Sequence, residues 1–140
     1  MTRYLDELAV GQSVETKRTV TAADIDGFAA VSGDHNPIHV DDAFAATTPF
    51  GGRIAHGMLA AAFISATVGN ELPGPGTVYI TQSLKFRRPV KPGDEVATRV
   101  EITAIDERRG WVTLKTACSV AGKTVVDGEA VVAFPKRSAA

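Results

Sequence analysis

The segment Ser32-Gly33-Asp34-His35-Asn36-Pro37-Ile38-His39 gathers most of the reactive side chains of the chain. Asp34 and His39 stand five positions apart, and Pro37 between them fixes one backbone torsion and restrains Asn36. A restrained loop can aim a carboxylate and an imidazole at one spot, which is the arrangement proton transfer needs. The same residues also suit a plain structural role, with Asp34 capping a turn and His39 packing beside the next helix. His35 and His39 give an H-x3-H spacing near Asp41 and Asp42. Histidines on a loop rather than a helix face, with no further ligand sequence, do not make a metal site.

A second group, Arg53-Ile54-Ala55-His56-Gly57-Met58, precedes an uncharged stretch. The first N–H groups of a helix have no internal partner and lie at the positive end of its dipole. Gly57 would let a ligand approach those N–H groups, and a carbonyl oxygen gaining negative charge there would be stabilised. Otherwise Gly57 only permits tight packing. Ser65 follows two turns later, on the face shared with Gly57 and Ala61. It either bonds back to a carbonyl one turn earlier or orients His39. His56 reads as structural, bonding backbone at the helix start. Cys118 falls among inward-facing apolar residues and reads as core.

The elements that must hold these groups divide the chain. Residues 10–20 read as a strand. Thr21-Ala22-Ala23-Asp24 is a capping-box variant that opens a helix ending at Gly33. Asp41 to Thr47 suits a short helix. A longer one runs from near His56–Gly57 to near Gly69; with no charged residue, it is expected to be buried all round. The second half shows period-2 alternation over Val78–Phe86, Val96–Ile102, Val112–Val120 and Lys123–Phe134. Pro92-Gly93, Arg109-Gly110 and Ala121-Gly122 supply the turns. Short turns make the sheet antiparallel. The expected architecture is α+β, a curved antiparallel sheet of about five strands around one long helix. From about Pro135 the chain reads as a frayed tail.

The bulk properties narrow the function. The 140 residues, 44% of them hydrophobic, suit one domain over 1–140. Lys and Arg number 15 against 16 Asp and Glu, which argues against electrostatic binding of nucleic acid. One cysteine allows no internal disulfide and no cysteine-based zinc site. Asp6 and Glu7 interrupt any apolar leader, and Gly57–Gly69 is too short to span a bilayer, so a cytoplasmic protein with no membrane partner is expected.

Phe28-Ala29-Ala30-Val31-Ser32-Gly33-Asp34-His35-Asn36-Pro37-Ile38-His39, then Ala46-Thr47-Thr48, then Ile54-Ala55-His56-Gly57-Met58 resembles the MaoC-like, (R)-specific enoyl-CoA hydratase family. The likeness runs from about Gly11 to Phe134. It implies the hot-dog fold, in which a sheet wraps a central helix. It implies that Asp34 and His39 are the catalytic pair, that the Gly57 N–H donates to a thioester carbonyl, and that Ser65 supports the pair. The implied reaction adds water to a trans-2-enoyl thioester to give the (R)-3-hydroxyacyl product, with no metal and no redox cofactor, since the thioester is the electron sink.

The implied partner is an acyl thioester, of coenzyme A or of acyl carrier protein. Lys85, Arg87, Arg88 and Lys91 are candidate contacts for coenzyme A phosphates, although such runs are commonly just a solvated face. The hot-dog fold also hosts thioesterases. Those typically carry a carboxylate on or beside the central helix, whereas here the first acid past Met58–Asn70 is Glu71. A non-catalytic acyl-thioester binder would not need both Asp34 and His39. The resemblance further implies a homodimer, and the weakly protected edge of Thr77–Phe86 supports one on physical grounds.

Overall fold

Thr21 and Asp24 close a reciprocal capping box. The Thr21 hydroxyl accepts from the Asp24 N–H at 3.1 Å, and the Asp24 carboxylate accepts from the Thr21 N–H at 3.0 Å. They start α1, Ala22–Ser32, which Gly33 ends in the left-handed region at φ 77°. The Arg18 guanidinium beside Asp24, and then the Thr21 N–H, hold its carboxyl below the usual range. The depressed pKa means that Asp24 stabilises the fold above the ordinary carboxylate pKa and loses that contribution as pH falls through its folded value. Asp24→Asn should therefore lower Tm at neutral pH, with the difference from the parent shrinking as pH falls below the ordinary carboxylate range, which thermal melts across pH will check.

The computed structural model describes residues 2–138. After α1 come two short helices, α2 at Pro37–Val40 and α3 at Asp42–Ala46, and then the central helix α4 at Gly57–Asn70. The strands are β1 Ser13–Thr19, β2 Val78–Gln82, β3 Lys85–Phe86, β4 Glu95–Asp106, β5 Trp111–Val120 and β6 Lys123–Ala133. All pairs are antiparallel, in the order β1-β4-β5-β6-β2, with β3 also on β6. Ala121 and Gly122, both at positive φ, make the two-residue hairpin between β5 and β6. The sheet curls over α4, and Ile64 and Val68 meet Val100, Ile102, Leu114, Val126 and Val132 in the core. This is the hot-dog arrangement.

Three expectations need correction. The sheet has six strands, not about five, because the apolar run from Val78 to Phe86 breaks at Ser83–Leu84. There Ser83 bonds Glu129 rather than continuing the ladder: its N–H donates to the Glu129 carbonyl at 2.9 Å and its hydroxyl accepts from the Glu129 N–H at 3.0 Å. Second, α4 is not buried all round. Leu59, Ala60, Ile64, Thr67 and Val68 are buried, but Met58, Ala62, Ser65 and Ala66 are exposed, because the sheet covers only one side of the helix. Third, Pro135 to Arg137 are tied down: the Pro135 carbonyl accepts from Leu5 N–H at 2.8 Å, and Arg137 pairs with Asp6 at 2.8 Å. Ala139 and Ala140 lie outside the described residues.

Cys118 is fully buried as expected, and burial pushes its thiol pKa up. Among the described residues no helix is long and apolar enough to cross a membrane.

Candidate active site

Asp34 is held by its neighbours on both sides. Ser32 Oγ donates to the Phe28 carbonyl at 2.6 Å and accepts from the Asp34 N–H at 3.1 Å, so the end of α1 fixes the Asp34 backbone. One carboxylate oxygen accepts from the Asn36 N–H at 3.2 Å, an Asx turn. Asn36 in turn caps α2 through the Ile38 N–H, with Pro37 at the first helical position. The stretch expected to be a plain loop therefore includes one short helix, and that helix carries His39.

The His39 ring is set by a bond outside its own element. Nδ1 lies 2.8 Å from the Ile54 carbonyl. A carbonyl only accepts, so Nδ1 carries the proton and the neutral ring keeps its free lone pair on Nε2. Arg53 adds two holds: its Nε donates to the His39 carbonyl and its guanidinium pairs with Asp26 of α1. One carboxylate oxygen of Asp34 and one nitrogen each of His39 and His56 lie within 4.8 Å of one another. A water accepting and donating two ordinary hydrogen bonds at a tetrahedral angle bridges roughly 4.6 Å. A separation of no more than 4.8 Å keeps Asp34 and His39 within the span of one bridging water.

The same trio does not suit a metal ion. The His39 and His56 rings stack at 4.0 Å between centroids and 28° between planes. Their lone pairs lie in those planes and cannot converge on one ion. The cluster also differs from the H-x3-H grouping visible in the sequence: His35 is exposed, and the Asp41 carboxylate caps α3 through the Phe44 N–H.

Gly57 opens α4 beside these groups. A Cβ there would stand 2.6 Å from the Phe86 ring, so only glycine leaves that ring in place. Gly57, His39 and His56 line an apolar cavity of about 590 Å³, with Met58 and Phe86 on its walls and Arg87 and Arg88 at its edge. Both arginines are partly engaged: Arg87 pairs with Asp127 at 3.0 Å, and Arg88 donates to the Thr124 carbonyl at 2.9 Å. Lys91 Nζ donates to the Phe50 carbonyl at 3.1 Å, whereas Lys85 is exposed on β3 and does not line the cavity.

A model of the MaoC-like domain family matches residues 7–124. The chain belongs to the MaoC-like family. This MaoC-like chain is 48% identical over 134 residues to an (R)-specific enoyl-CoA hydratase of Rhodospirillum rubrum, covering 96% of this chain and 93% of that one. It is 47% identical over 137 residues to a 3-hydroxybutyryl-CoA dehydratase of Methylorubrum extorquens, covering 98% and 87%. Among solved structures, the unliganded R-hydratase PhaJ1 of Pseudomonas aeruginosa superposes with a TM-score of 0.92 at 47% identity, covering 97% of this chain and 88% of that one.

Within the MaoC-like chain, Asp34, His39 and Gly57 come together, and Ser65 does not. Ser65 sits on the exposed side of α4, roughly 12 Å along the axis from Gly57 at the helical rise. The back-bond to a carbonyl one turn earlier is made instead by Thr67, whose hydroxyl donates to the Phe63 carbonyl at 2.9 Å. Sequence patterning gives no sign of Arg53's two bonds or of Phe86 over Gly57, because both join residues far apart in the chain.

Proposed function

We propose that this protein is an (R)-specific enoyl-CoA hydratase, adding water across trans-2-enoyl-CoA to give (R)-3-hydroxyacyl-CoA and running the reverse dehydration. The observation that carries the reading is the Asp34–His39 pair, a carboxylate oxygen and a ring nitrogen within 4.8 Å of each other, beside the N-terminus of α4, with His39 and Gly57 lining one apolar cavity. In this mechanism the pair holds the water. Asp34 draws one proton from it as its oxygen bonds to C3 and passes that proton to C2, while the free lone pair of His39 Nε2 accepts a hydrogen bond from the water's other hydrogen and holds the oxygen in place. The C2=C3 π bond becomes the new C–O and C–H bonds on one face. The thioester oxygen, enolate-like at the midpoint, rests against the Gly57 N–H and the helix dipole.

The resemblance, rather than the geometry of one chain, supports Ser65 as an accessory residue. Arg87 and Arg88 at the cavity edge are the better-supported contacts for coenzyme A phosphates, with Lys91 nearby and Lys85 the weakest of the four. The carrier-protein alternative uses the same chemistry on a different thioester. A thioesterase is disfavoured because α4, Gly57–Asn70, carries no carboxylate to serve one.

The test uses crotonyl-CoA with the purified protein. The expected result is loss of the enoyl-thioester absorbance without release of free thiol. Thiol release without hydration would replace the reading with hydrolysis. A series of enoyl-CoA chain lengths and one enoyl-carrier-protein thioester then fixes the carrier.

A homodimer completes the proposal. Val78, Tyr79 and Ile80 are exposed on the edge strand β2, and the open side of α4 presents Met58, Ala62 and Ala66. A two-fold pairing would cover both. Light scattering at micromolar concentration should give about twice 14.7 kDa. An active species of 14.7 kDa would rule the dimer out.

A further inference from the structure

We propose that His56 is a positioning residue that locks the Asp34 backbone and the His39 ring into one unit. The inference rests on the hydratase reading of the site and names a residue that acts through the pair rather than on substrate.

Three observations carry it. His56 is 3% exposed, yet its Nε2 reaches out of its own element to the Asp34 carbonyl, 3.0 Å away. That carbonyl belongs to the residue whose carboxylate lies within 4.8 Å of a His39 ring nitrogen. The other side of the link is the ring face, which stacks on His39 at 4.0 Å, while Phe28 closes against the ring at 4.9 Å. Finally, His56 is the N-cap of α4, so the next amide along the chain is that of Gly57. One side chain thus joins the carboxylate, the imidazole and the amide donor.

The cost of this arrangement argues against simple packing. A carbonyl only accepts, so the His56 proton sits on Nε2 and Nδ1 is left with a bare lone pair. That Nδ1 is buried with no hydrogen-bond partner among the described residues. An unsatisfied buried polar atom is unfavourable by about 1–3 kcal/mol. An apolar side chain between Phe28 and His39 would avoid it. What a side-chain N–H donor supplies, and an apolar side chain does not, is the bond to Asp34. His56 does not cap its own helix with its side chain, which removes the usual local reason for a polar residue at that position.

The bond and the packing separate in two variants of similar volume. His56→Gln keeps an N–H donor at the reach of Nε2, and His56→Leu fills the space without one. Both are compared with the parent protein in crotonyl-CoA hydration, with melting curves to establish folding. The expected result is a kcat for His56→Leu lowered by about thirtyfold, with KM changed less than about threefold, and a kcat for His56→Gln about tenfold above that of His56→Leu. Values for the two variants within about threefold of each other, or a loss confined to KM, would overturn the inference. Should His56→Leu not fold, His56→Gln decides alone: kcat within about tenfold of the parent supports the inference, and a deeper loss overturns it. A parent protein that does not hydrate crotonyl-CoA would bring down the hydratase reading itself, an outcome visible before any variant is compared.

Discussion

Asp34→Asn should lower kcat for enoyl-CoA hydration by on the order of a hundredfold or more, with the protein still folded. The substitution is nearly isosteric. The Asn36 N–H that now donates to a carboxylate oxygen at 3.2 Å would donate to the amide oxygen instead, so the turn into α2 survives. What disappears is the negative charge and the capacity to take a proton from water. His39→Ala should cost a similar factor for a different reason: it removes Nε2, the ring atom left free once Nδ1 is bonded to the Ile54 carbonyl. It also removes the ring stacked on His56, so a modest fall in Tm should accompany it. Steady-state kinetics beside a melting curve separate the two effects. Near-full kcat in either variant would show that the pair has been misassigned.

The second large effect lies away from the chemistry. Gly128→Ala should destabilise the protein by about 3 kcal/mol or more, because a Cβ there has nowhere to go. It would stand 1.8 Å from the Ser83 carbonyl oxygen, a backbone atom that no rotamer change can move. Relief requires Ser83 to leave β6, which breaks its two bonds to Glu129 at 2.9 and 3.0 Å. A loss of that size lowers Tm by roughly 10 °C in a chain of this length. The damage should reach activity as well, since Ser83 leads directly into β3, whose Phe86 rests on Gly57. An unchanged Tm would mean that the crossing of β2 and β3 over β6 is looser than the structure describes.

Much of this architecture is legible in the residues, and the limits have physical causes. The capping box at Thr21, the glycine end of α1 and the bounds of α4 are local signals, each decided within a turn of helix. The hairpin at Ala121-Gly122 is equally local. Strand order is not. β1 pairs with β4 across nearly ninety residues, as Ser13 against Glu101, and β2 skips past three strands to pair with β6. No short-range pattern encodes those choices. The exposed face of α4 misleads for a related reason: an uncharged helix signals burial but not what buries it, and one chain's sheet covers a single side.

The site divides in the same way. Asp34 and His39 are readable because one short segment of chain carries both, and the proline between them announces a fixed geometry. His56 stands seventeen positions beyond His39 in the chain, and nothing in its neighbours reveals that it stacks on that ring. Ser65 shows the converse. Helical periodicity sets it on the stripe of Gly57, yet periodicity leaves unsaid that it stands roughly 12 Å along the axis from that residue, on the exposed side of α4.

In the proposed mechanism Asp34 and His39 direct one water to C3 from one face of an enoyl thioester. This step is tested most directly by incubating crotonyl-CoA with the protein in heavy-oxygen water and resolving the product on a chiral column. The expected product is (R)-3-hydroxybutyryl-CoA with one heavy oxygen at C3 and none in the thioester carbonyl. Heavy oxygen in a free carboxylate together with released coenzyme A, or an (S) or racemic alcohol, would contradict it.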